Sequence, residues 1–344
     1  MASLADVAGE CGVSVSTVSR ALNPETAHLV KADTRDRVAG AAERLGFRPN
    51  ALARGLRSRH SSTVGVIVHD ICDSYFAQHA KALGDALAAE GLLAVICNSE
   101  RDPATELTYV QMLLDHKAAG VIFVGGGLAD KDYRRRLAPL AGELAAYGGA
   151  AIALGPRLER WPAELPDNVG GAAAATRHLL ELGHRRIAFV DGPAGLRTSE
   201  ERRKGYLRAL GESGIEPDEA LIRPGDFTVE GGVSAAVGLL DSGVGFSAVF
   251  ASNDATALGC LQELARRGVS VPQEVSVVGF DDAPAIRWAT PALTTVAVPV
   301  EEMSTAAVAR LMQHLRPASS PPPPRTRTHH CDLIIRDSTA RRPL

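Results

Sequence analysis

The sequence predicts an α/β protein in which a small helical module precedes two doubly wound lobes built on parallel sheets. From Thr63 onward, short apolar runs without polar alternation recur, and each is followed by an Ala-rich amphipathic segment. Such runs are typical of parallel strands that are covered by helices on both faces. The strand–helix units are too numerous for one sheet, which favours two lobes. The first sixty residues lack these runs and carry helix signals instead.

Composition narrows the class of protein further. The chain has 344 residues, of which 45% are hydrophobic, enough for cores of ordinary size. It contains no run of eighteen apolar residues and no basic N-terminal segment followed by an apolar stretch. The five cysteines are scattered, and no pair has the spacing of a metal or redox site. We therefore expect a cytoplasmic protein with reduced thiols, without a metal ion, a cofactor or a membrane partner.

Charge is distributed unevenly along the chain, although the net charge is only −3. Residues 1–60 carry nine basic and six acidic side chains, whereas the remainder carries 28 basic and 34 acidic side chains. No acidic residue occurs between Glu43 and Asp70, an interval that holds five arginines. A basic module joined to an acidic body indicates a polyanionic partner for the module.

Capping signals divide the module into three short helices. Ser3 and Asp6 have the spacing of a capping box, and Gly12 is suited to end the first helix. The second helix is "SVSTVSRALN" (residues 14–23), which begins with a serine suited to an N-cap. A third helix is predicted from about residue 34 to residue 45. The first two helices and their tight turn form a helix-turn-helix.

The second helix is rich in Ser, Thr and Val and is therefore a weak helix former. Val18, Ala21 and Leu22 should face the first helix, which leaves the hydroxyls and an arginine outside. Short hydroxyl side chains let a helix backbone approach base edges in the major groove. A surface helix of an ordinary helical domain is the alternative, and the arginine cluster that follows favours DNA. We expect base contacts from Val15, Ser16 and Arg20, and phosphate contacts from Ser14, Thr17, Ser19 and Asn23.

The remaining pattern sets the predicted domain organisation. Helices are predicted at 75–90, 103–117, 130–146, 170–182, 199–213, 229–241 and 253–267. The predicted domains are a helix-turn-helix DNA-binding headpiece (1–48), a hinge helix and linker (49–62), and a core (63–344). Within the core, the first lobe takes residues 63–160 and 292–316, and the second takes residues 161–291 and 325–340. A proline-rich connector at 317–324 precedes a last strand, "HCDLIIR".

Several segments together resemble the LacI/GalR family of bacterial transcriptional regulators. They include "SLADVAGECGVSVSTVSRALN", "HLLELGHRRIAFVDGP", "ASNDATALG" and "VSVVGFDD…TPALTTVAVPVEEM". The resemblance covers nearly the whole chain. It implies a DNA-binding headpiece, a hinge and a two-lobed core like that of type I periplasmic sugar-binding proteins. Because one short helix reads too few bases alone, we expect a homodimer bound to palindromic operator DNA.

The segment "RPNALARGLRSR" fits the hinge of that family. Gly55 weakens a helix this short, so the segment should be helical only on DNA. By resemblance, Leu56 would insert into the minor groove and open a base step. A flexible linker with incidental arginines is the alternative. The hinge residues expected to contact DNA are Asn50, Ala53, Arg54, Leu56 and Arg57.

By the same resemblance, a small-molecule effector binds between the lobes. Ligands in doubly wound sheets lie beyond the carboxyl ends of the strands. The resemblance implies Phe76 and Phe227 as ring-stacking walls, with Arg202, Asn253 and Asp281 as hydrogen-bonding groups and Tyr75 and Thr198 nearby. Rigid polar groups between aromatic faces suit a sugar or a related metabolite. Alternatively, Asn253 caps a helix, Asp281 braces a turn, and Arg202 belongs to a solvated charged face.

Two other classes of function compete with a ligand-responsive repressor. An α/β enzyme is disfavoured because the sequence contains neither GxGxxG, nor a phosphate-binding P-loop, nor GxSxG. A stand-alone cytoplasmic small-molecule-binding protein would not need the basic headpiece. No leucine heptads follow residue 316, so a tetramer held by a C-terminal coiled coil is not expected. The sequence therefore predicts a transcriptional regulator with no catalytic residues.

Overall fold

The computed structural model describes residues 2–23, 26–47, 61–127, 130–157, 161–315 and 326–342. The chain divides into two compact units, Met1–Ser61 and Ser62–Leu344. The hinge residues Asn50, Ala53, Arg54, Leu56 and Arg57 lie outside the described residues.

The N-terminal unit is a three-helix module. Its elements are α1 (Leu4–Cys11), α2 (Val15–Ala21), a 3-10 turn (Ala27–Leu29) and α3 (Ala32–Arg44). Ser3 and Asp6 form the predicted capping box on α1, and Gly12 ends that helix in the left-handed region at φ 61°. Ser14 caps α2 by accepting a hydrogen bond from the backbone N–H of Thr17 at 3.1 Å. Local capping chemistry therefore sets the boundaries of both helices of the motif.

A small core holds the three helices together. The buried side chains are those of Val7, Ala8, Cys11, Val18, Val38, Ala41 and Ala42. Arg37 donates to the carbonyl oxygen of Cys11 at 2.6 Å, and Arg44 donates twice to one carboxylate oxygen of Glu10, at 2.7 and 3.0 Å. These contacts fix α1 relative to α3, and α2 packs against both helices.

The second unit contains two six-stranded sheets. Sheet 1 has the order β11-β5-β4-β3-β1-β2 and is parallel throughout. Its strands are β1 (Thr63–Val68), β2 (Leu93–Asn98), β3 (Gly120–Val124), β4 (Ala150–Leu154), β5 (Ala163–Pro166) and β11 (Thr326–His329). Helices α4 (Ser74–Ala89), α5 (Pro103–Asp115), α6 (Lys131–Ala146) and α11 (Val300–Leu315) complete this first lobe.

Sheet 2 has the order β12-β10-β9-β8-β6-β7. Its strands are β6 (Ile187–Val190), β7 (Ile222–Arg223), β8 (Ala248–Ala251), β9 (Ser276–Asp281), β10 (Thr294–Ala297) and β12 (Asp332–Ile334). The last strand, β12, pairs antiparallel with β10, and the other pairs are parallel. Helices α7 (Asn168–Glu181), α8 (Arg197–Glu212), α9 (Val229–Asp241) and α10 (Asp254–Arg266) belong to this second lobe. The predicted class, in which two doubly wound lobes follow a helix-turn-helix along the chain, is confirmed.

The predicted helices agree with the structure to within two residues at each end, but the predicted lobe boundaries were wrong in three places. Strand β5 belongs to sheet 1 rather than to the second lobe, and β10 belongs to sheet 2 rather than to the first lobe. The tail forms two strands instead of one, with β11 in sheet 1 and β12 in sheet 2. An apolar run indicates a strand but does not reveal which sheet it joins, because pairing partners are distant in sequence. The chain therefore crosses between the lobes after β5, after β10 and after β11.

None of the helices in these described ranges is long and apolar enough to cross a membrane.

Glycines allow α9 and α10 to pack with their backbones in close approach. A Cβ atom added to Gly259 would lie 2.0 Å from the carbonyl oxygen of Val229. A Cβ atom added to Gly232 would lie 2.1 Å from the carbonyl oxygen of Thr256. Real Cβ atoms do not approach backbone atoms this closely, so any side chain here must separate the helices.

We expect Gly259→Ala to lower the free energy of unfolding by about 1–3 kcal/mol, because the added methyl group overpacks this crossing. Urea denaturation followed by circular dichroism measures the change. Gly211→Ala is the matched control, since this helical glycine of α8 has no atom within 4 Å of an added Cβ. The control should gain about 0.5–1 kcal/mol from helix propensity. Equal stability of the two variants would contradict the packing argument.

Candidate functional site: nucleic-acid interface and ligand cleft

Helix α2 presents one polar and one apolar face, as the sequence predicts. Val18 is fully buried, while Ala21 and Leu22 are half-buried against the same core. Val15 is 46% exposed, and Ser16 and Arg20 are also exposed. The expected base-reading side chains therefore lie on the outer face of the motif.

The hydroxyls at the start of α2 form a connected group. Ser14 Oγ lies 2.8 Å from Ser16 Oγ and 2.8 Å from Thr17 Oγ1. At the other end of the helix, the hydroxyl of Thr26 donates to the carbonyl oxygen of Arg20 at 3.1 Å. A helix N-terminus with exposed hydroxyls suits contact with phosphate oxygens, because the helix dipole favours negative charge there.

A cleft of about 570 Å³ opens between the two lobes of the second unit. It lies where polar residues follow strands of both sheets, as expected for doubly wound folds. All seven predicted cleft residues line it: Tyr75, Phe76, Thr198, Arg202, Phe227, Asn253 and Asp281. Aromatic rings with a few convergent polar groups are typical of the lining of small-molecule sites.

Arg202 is buried and organises the second-lobe wall of the cleft. It is 3% exposed, although charged residues surround it in the sequence, so the alternative of a solvated charged face is excluded. Its guanidinium donates to Asn168 Oδ1 at 3.0 Å, to the carbonyl oxygen of Ser252 at 2.5 Å and to Asp281 Oδ1 at 2.8 Å. The guanidinium carbon also lies 3.7 Å from the centre of the Phe280 ring. Hydrogen bonds and stacking thus hold Arg202 in one orientation.

Asp281 lies at the carboxyl end of β9 and accepts the hydrogen bond from Arg202. Its backbone has φ 114°, a conformation that is strained for a residue with a side chain. Burial raises the pKa of Asp281 to about 6, and the nearby Arg202 opposes that rise. Sparsely populated backbone conformations and carboxyl groups with shifted pKa values are concentrated at functional sites.

Asn253 and Phe227 support each other at the edge of the cleft. Asn253 caps α10 by accepting from the backbone N–H of Thr256 at 3.0 Å, as the capping alternative expected. Its amide group also donates to the carbonyl oxygen of Phe227 at 3.0 Å. Phe227 itself has φ 68°. Asn253 therefore both lines the cleft and fixes the loop that carries the aromatic wall.

The first-lobe wall is aromatic near the start of α4. Phe76 is 5% exposed and packs edge-on against Tyr75, with ring centres 5.2 Å apart. Burial raises the pKa of the Tyr75 hydroxyl above its ordinary value, so the hydroxyl stays neutral. Asp73 caps α4 through the backbone N–H of Tyr75 at 2.9 Å, and burial raises its pKa as well.

Sequence reasoning missed three polar residues of the cleft, which are His69, Asp73 and Arg101. His69 directly follows β1, and Arg101 follows the end of β2 with φ 58°. The guanidinium carbon of Arg101 lies 5.9 Å from the centre of the Phe227 ring across the cleft. Their position just after strand ends was the available signal. Over the described ranges, no group of three or more His, Cys, Asp or Glu side chains could hold a metal ion.

We expect Asp281→Asn to weaken the dependence of stability on pH. The carboxyl pKa is about 6 in the folded chain and has an ordinary value of 3.8, so the folded state binds more protons between these values. The stabilisation from this group is present below about pH 4 and is lost as the pH rises through about 6. Urea unfolding across this range should show a shallower loss with rising pH in Asp281→Asn than in the wild type. The exposed Asp85→Asn is the control and should follow the wild-type slope; identical slopes for all three proteins would refute the assignment.

Comparison with known proteins identifies the family. Residues 3–50 match the bacterial regulatory proteins of the lacI family, and residues 176–339 match a periplasmic binding protein-like domain. The HTH-type transcriptional regulator GalS of Salmonella typhimurium is 35% identical over 319 residues, covering 91% of this chain and 90% of that protein. The HTH-type transcriptional repressor CytR of Escherichia coli K12 is 34% identical over 347 residues, covering 98% and 96%.

Solved structures extend the similarity to both units. The lac repressor dimer bound to operator and the anti-inducer ONPF has a TM-score of 0.85 at 26% identity, covering 98% of this chain and 99% of that one. A complex of the transcriptional regulator CelR with cellobiose has a TM-score of 0.72 at 30% identity, covering 98% and 100%. These relatives are transcriptional regulators, so the chain is a ligand-responsive DNA-binding regulator rather than an enzyme. The chain belongs to the LacI family of bacterial transcriptional regulators.

Proposed function

We propose that this regulator is a repressor that binds a palindromic operator as a homodimer and acts in the cytoplasm. A sugar-like effector in the cleft changes its affinity for the operator. The observation that carries the proposal is that one chain combines an exposed hydroxyl-rich helix in a helix-turn-helix with a cleft lined by fixed polar groups and aromatic rings. The similarity to lac repressor structures along nearly the whole chain supports it.

Helix α2 reads the operator in this proposal. Val15, Ser16 and Arg20 contact base edges, because they are the exposed side chains of the helix. Ser14, Thr17, Ser19 and Asn23 contact mainly phosphates and so set the orientation of the helix. One short helix contacts too few base pairs for high specificity, which is why two copies are required.

An exposed apolar strand in the first lobe supports the homodimer. Strand β2 lies at the edge of sheet 1, and its Leu93 is 64% exposed. Val95 and Ile96 are 38% and 41% exposed. Helix α4 packs beside this strand. Exposed apolar side chains on neighbouring positions of an edge strand suit an interface between copies.

The cleft chemistry favours a sugar-like effector. Arg202 and Asp281 offer oriented donors and acceptors, and the rings of Phe76 and Phe227 offer apolar faces. Cellobiose occupies the CelR complex, and ribose is bound in a LacI-family regulator from Enterococcus faecium that is 26% identical with a TM-score of 0.71. An effector that binds one arrangement of the lobes about 1–3 kcal/mol more tightly than the other would change operator affinity about 5- to 150-fold.

Selection of bound duplexes from random DNA tests the DNA-binding part directly. The purified full chain should enrich a palindromic sequence, which then serves as the probe for fluorescence anisotropy. Cellobiose and ribose, added separately, test the effector class by their effect on anisotropy. Failure to enrich any sequence over random competitor, with and without these sugars, would refute the proposal.

We expect Arg20→Ala to weaken binding to the selected duplex by about 1–3 kcal/mol and to relax its base preference, because a side chain in the major groove is lost. Lys31→Ala removes the same charge from the three-helix module but from an exposed side chain outside α2. This control should cause a smaller loss that is uniform across sequences. Anisotropy with selected and scrambled duplexes separates the two effects, and equal base preference in Arg20→Ala and wild type would exclude base reading by Arg20.

We expect Leu56→Ala to weaken operator binding and to reduce DNA bending, because the proposed minor-groove wedge is truncated. Circular-permutation gel shifts measure the bend angle. Leu45→Ala, which truncates a leucine that is 37% exposed, is the control and should retain both binding and bending. Sugar-induced shifts in melting temperature should stay unchanged in both variants. Wild-type bending by Leu56→Ala would rule out the wedge.

A further inference from the structure

His69 lies at the first-lobe wall of the cleft, immediately after β1. Its residue is only 5% exposed, and its ring centre lies 5.2 Å from that of Phe76. The ring borders the cleft on one side and a separate small cavity lined by Glu106, Tyr133 and Arg157 on the other. His69 therefore connects the cleft with a buried polar network behind it.

That network fixes the position of Arg157. The Arg157 side chain is 1% exposed and forms an ion pair with Glu106, whose side chain is 5% exposed. Arg157 also donates to the hydroxyl of Tyr133 at 2.8 Å, and that hydroxyl donates to the same Glu106 carboxylate. The guanidinium carbon lies 4.7 Å from the centre of the Phe123 ring. Since a buried charge pair with these partners is costly to rearrange, Arg157 has one orientation.

The orientation of Arg157 determines the tautomer of His69. Arg157 Nη2 lies 3.3 Å from His69 Nε2. A guanidinium only donates hydrogen bonds, so Nε2 must be the bare nitrogen and Nδ1 must carry the proton. Burial, followed by the charges of Arg157 and Arg101, holds the pKa of His69 well below its ordinary value, so the ring stays neutral. Among the described residues, none accepts a hydrogen bond from Nδ1.

We propose that His69 is a specificity-determining hydrogen-bond donor of the cleft and that Arg157 is the positioning residue that fixes its tautomer. The Nδ1–H group donates to an acceptor oxygen of the effector, such as a hydroxyl, ring or carbonyl oxygen. An effector that presents only a donor at this point, such as a protonated amine, is rejected because two donors would face each other. This inference rests on the proposed function, since it names the chemistry of an effector in the same cleft.

The tautomer is measurable without any effector. In the full-length chain labelled with ¹⁵N-histidine, the signals of His69 are identified by their loss in His69→Asn. Protonated and bare ring nitrogens have well-separated ¹⁵N shifts, and we expect a proton on Nδ1 alone at neutral pH. The double variant Glu106→Gln/Arg157→Met removes both buried charges together, which avoids leaving one unpaired. In this variant the His69 signals should shift toward a mixture of tautomers, whereas the exposed Arg134→Met control should keep the wild-type signals.

Binding measurements test whether His69 donates a hydrogen bond to the effector. The Nδ2–H₂ group of asparagine lies near the position of histidine Nδ1, whereas leucine offers similar bulk without a donor. Cellobiose and ribose serve as probes in calorimetry. We expect His69→Leu to lower the affinity for the sugar that the wild type binds by about tenfold. We expect His69→Asn to remain within about threefold of the wild type. A purely structural role would instead weaken binding equally in both variants.

The outcomes are separable. A proton on Nε2 in the wild type, or an unchanged tautomer in the double variant, overturns the inference. Equal affinity losses in His69→Leu and His69→Asn overturn it as well. Absence of any sugar effect on operator binding would instead count against the proposed function, and the tautomer measurement would still stand on its own.

Discussion

The buried guanidinium of Arg202 is the contact on which the arrangement of the second lobe around the cleft depends. It joins Asn168 at the start of α7, Ser252 at the end of β8 and Asp281 at the end of β9. These three elements are far apart in sequence, and the guanidinium donates a hydrogen bond to an oxygen atom of each. A charge this deeply buried is tolerated only when its partners are complete. Arg202 therefore fixes the geometry of the second-lobe wall, because this one side chain forms hydrogen bonds with three separate elements.

Local features of the structure were predictable from sequence. The capping box at Ser3 and the cap at Ser14 involve residues within three positions of each other, so the sequence contains the whole interaction. Seven of the eight described helices of the core were predicted for the same reason, because their apolar periodicity is a local property, whereas α11 was not predicted. The cleft residues were found through the family resemblance, which supplied the three-dimensional positions that spacing alone does not give.

Features that depend on distant partners were not predictable in the same way. Strand β5 has only four residues and gains its place from pairing with β4 and with β11, which is more than 150 residues away. The burial of Arg202 is hidden by its charged neighbours in "SEERRKG". His69 acquires its tautomer from an arginine 88 positions away. In each case the deciding interaction is non-local, and periodicity carries no information about it.

The three crossings between the lobes also affect how this architecture can be recombined. Each lobe is assembled from two separate stretches of the chain, so no single cut in the gene separates one intact lobe from the other. The three-helix module, in contrast, is one continuous stretch that ends at Ser61. A gene fusion can thus replace the operator-reading part through one junction, while exchange of a lobe would require several simultaneous junctions. In this architecture, new DNA targets are easier to acquire by shuffling than new effector pockets, which must change residue by residue.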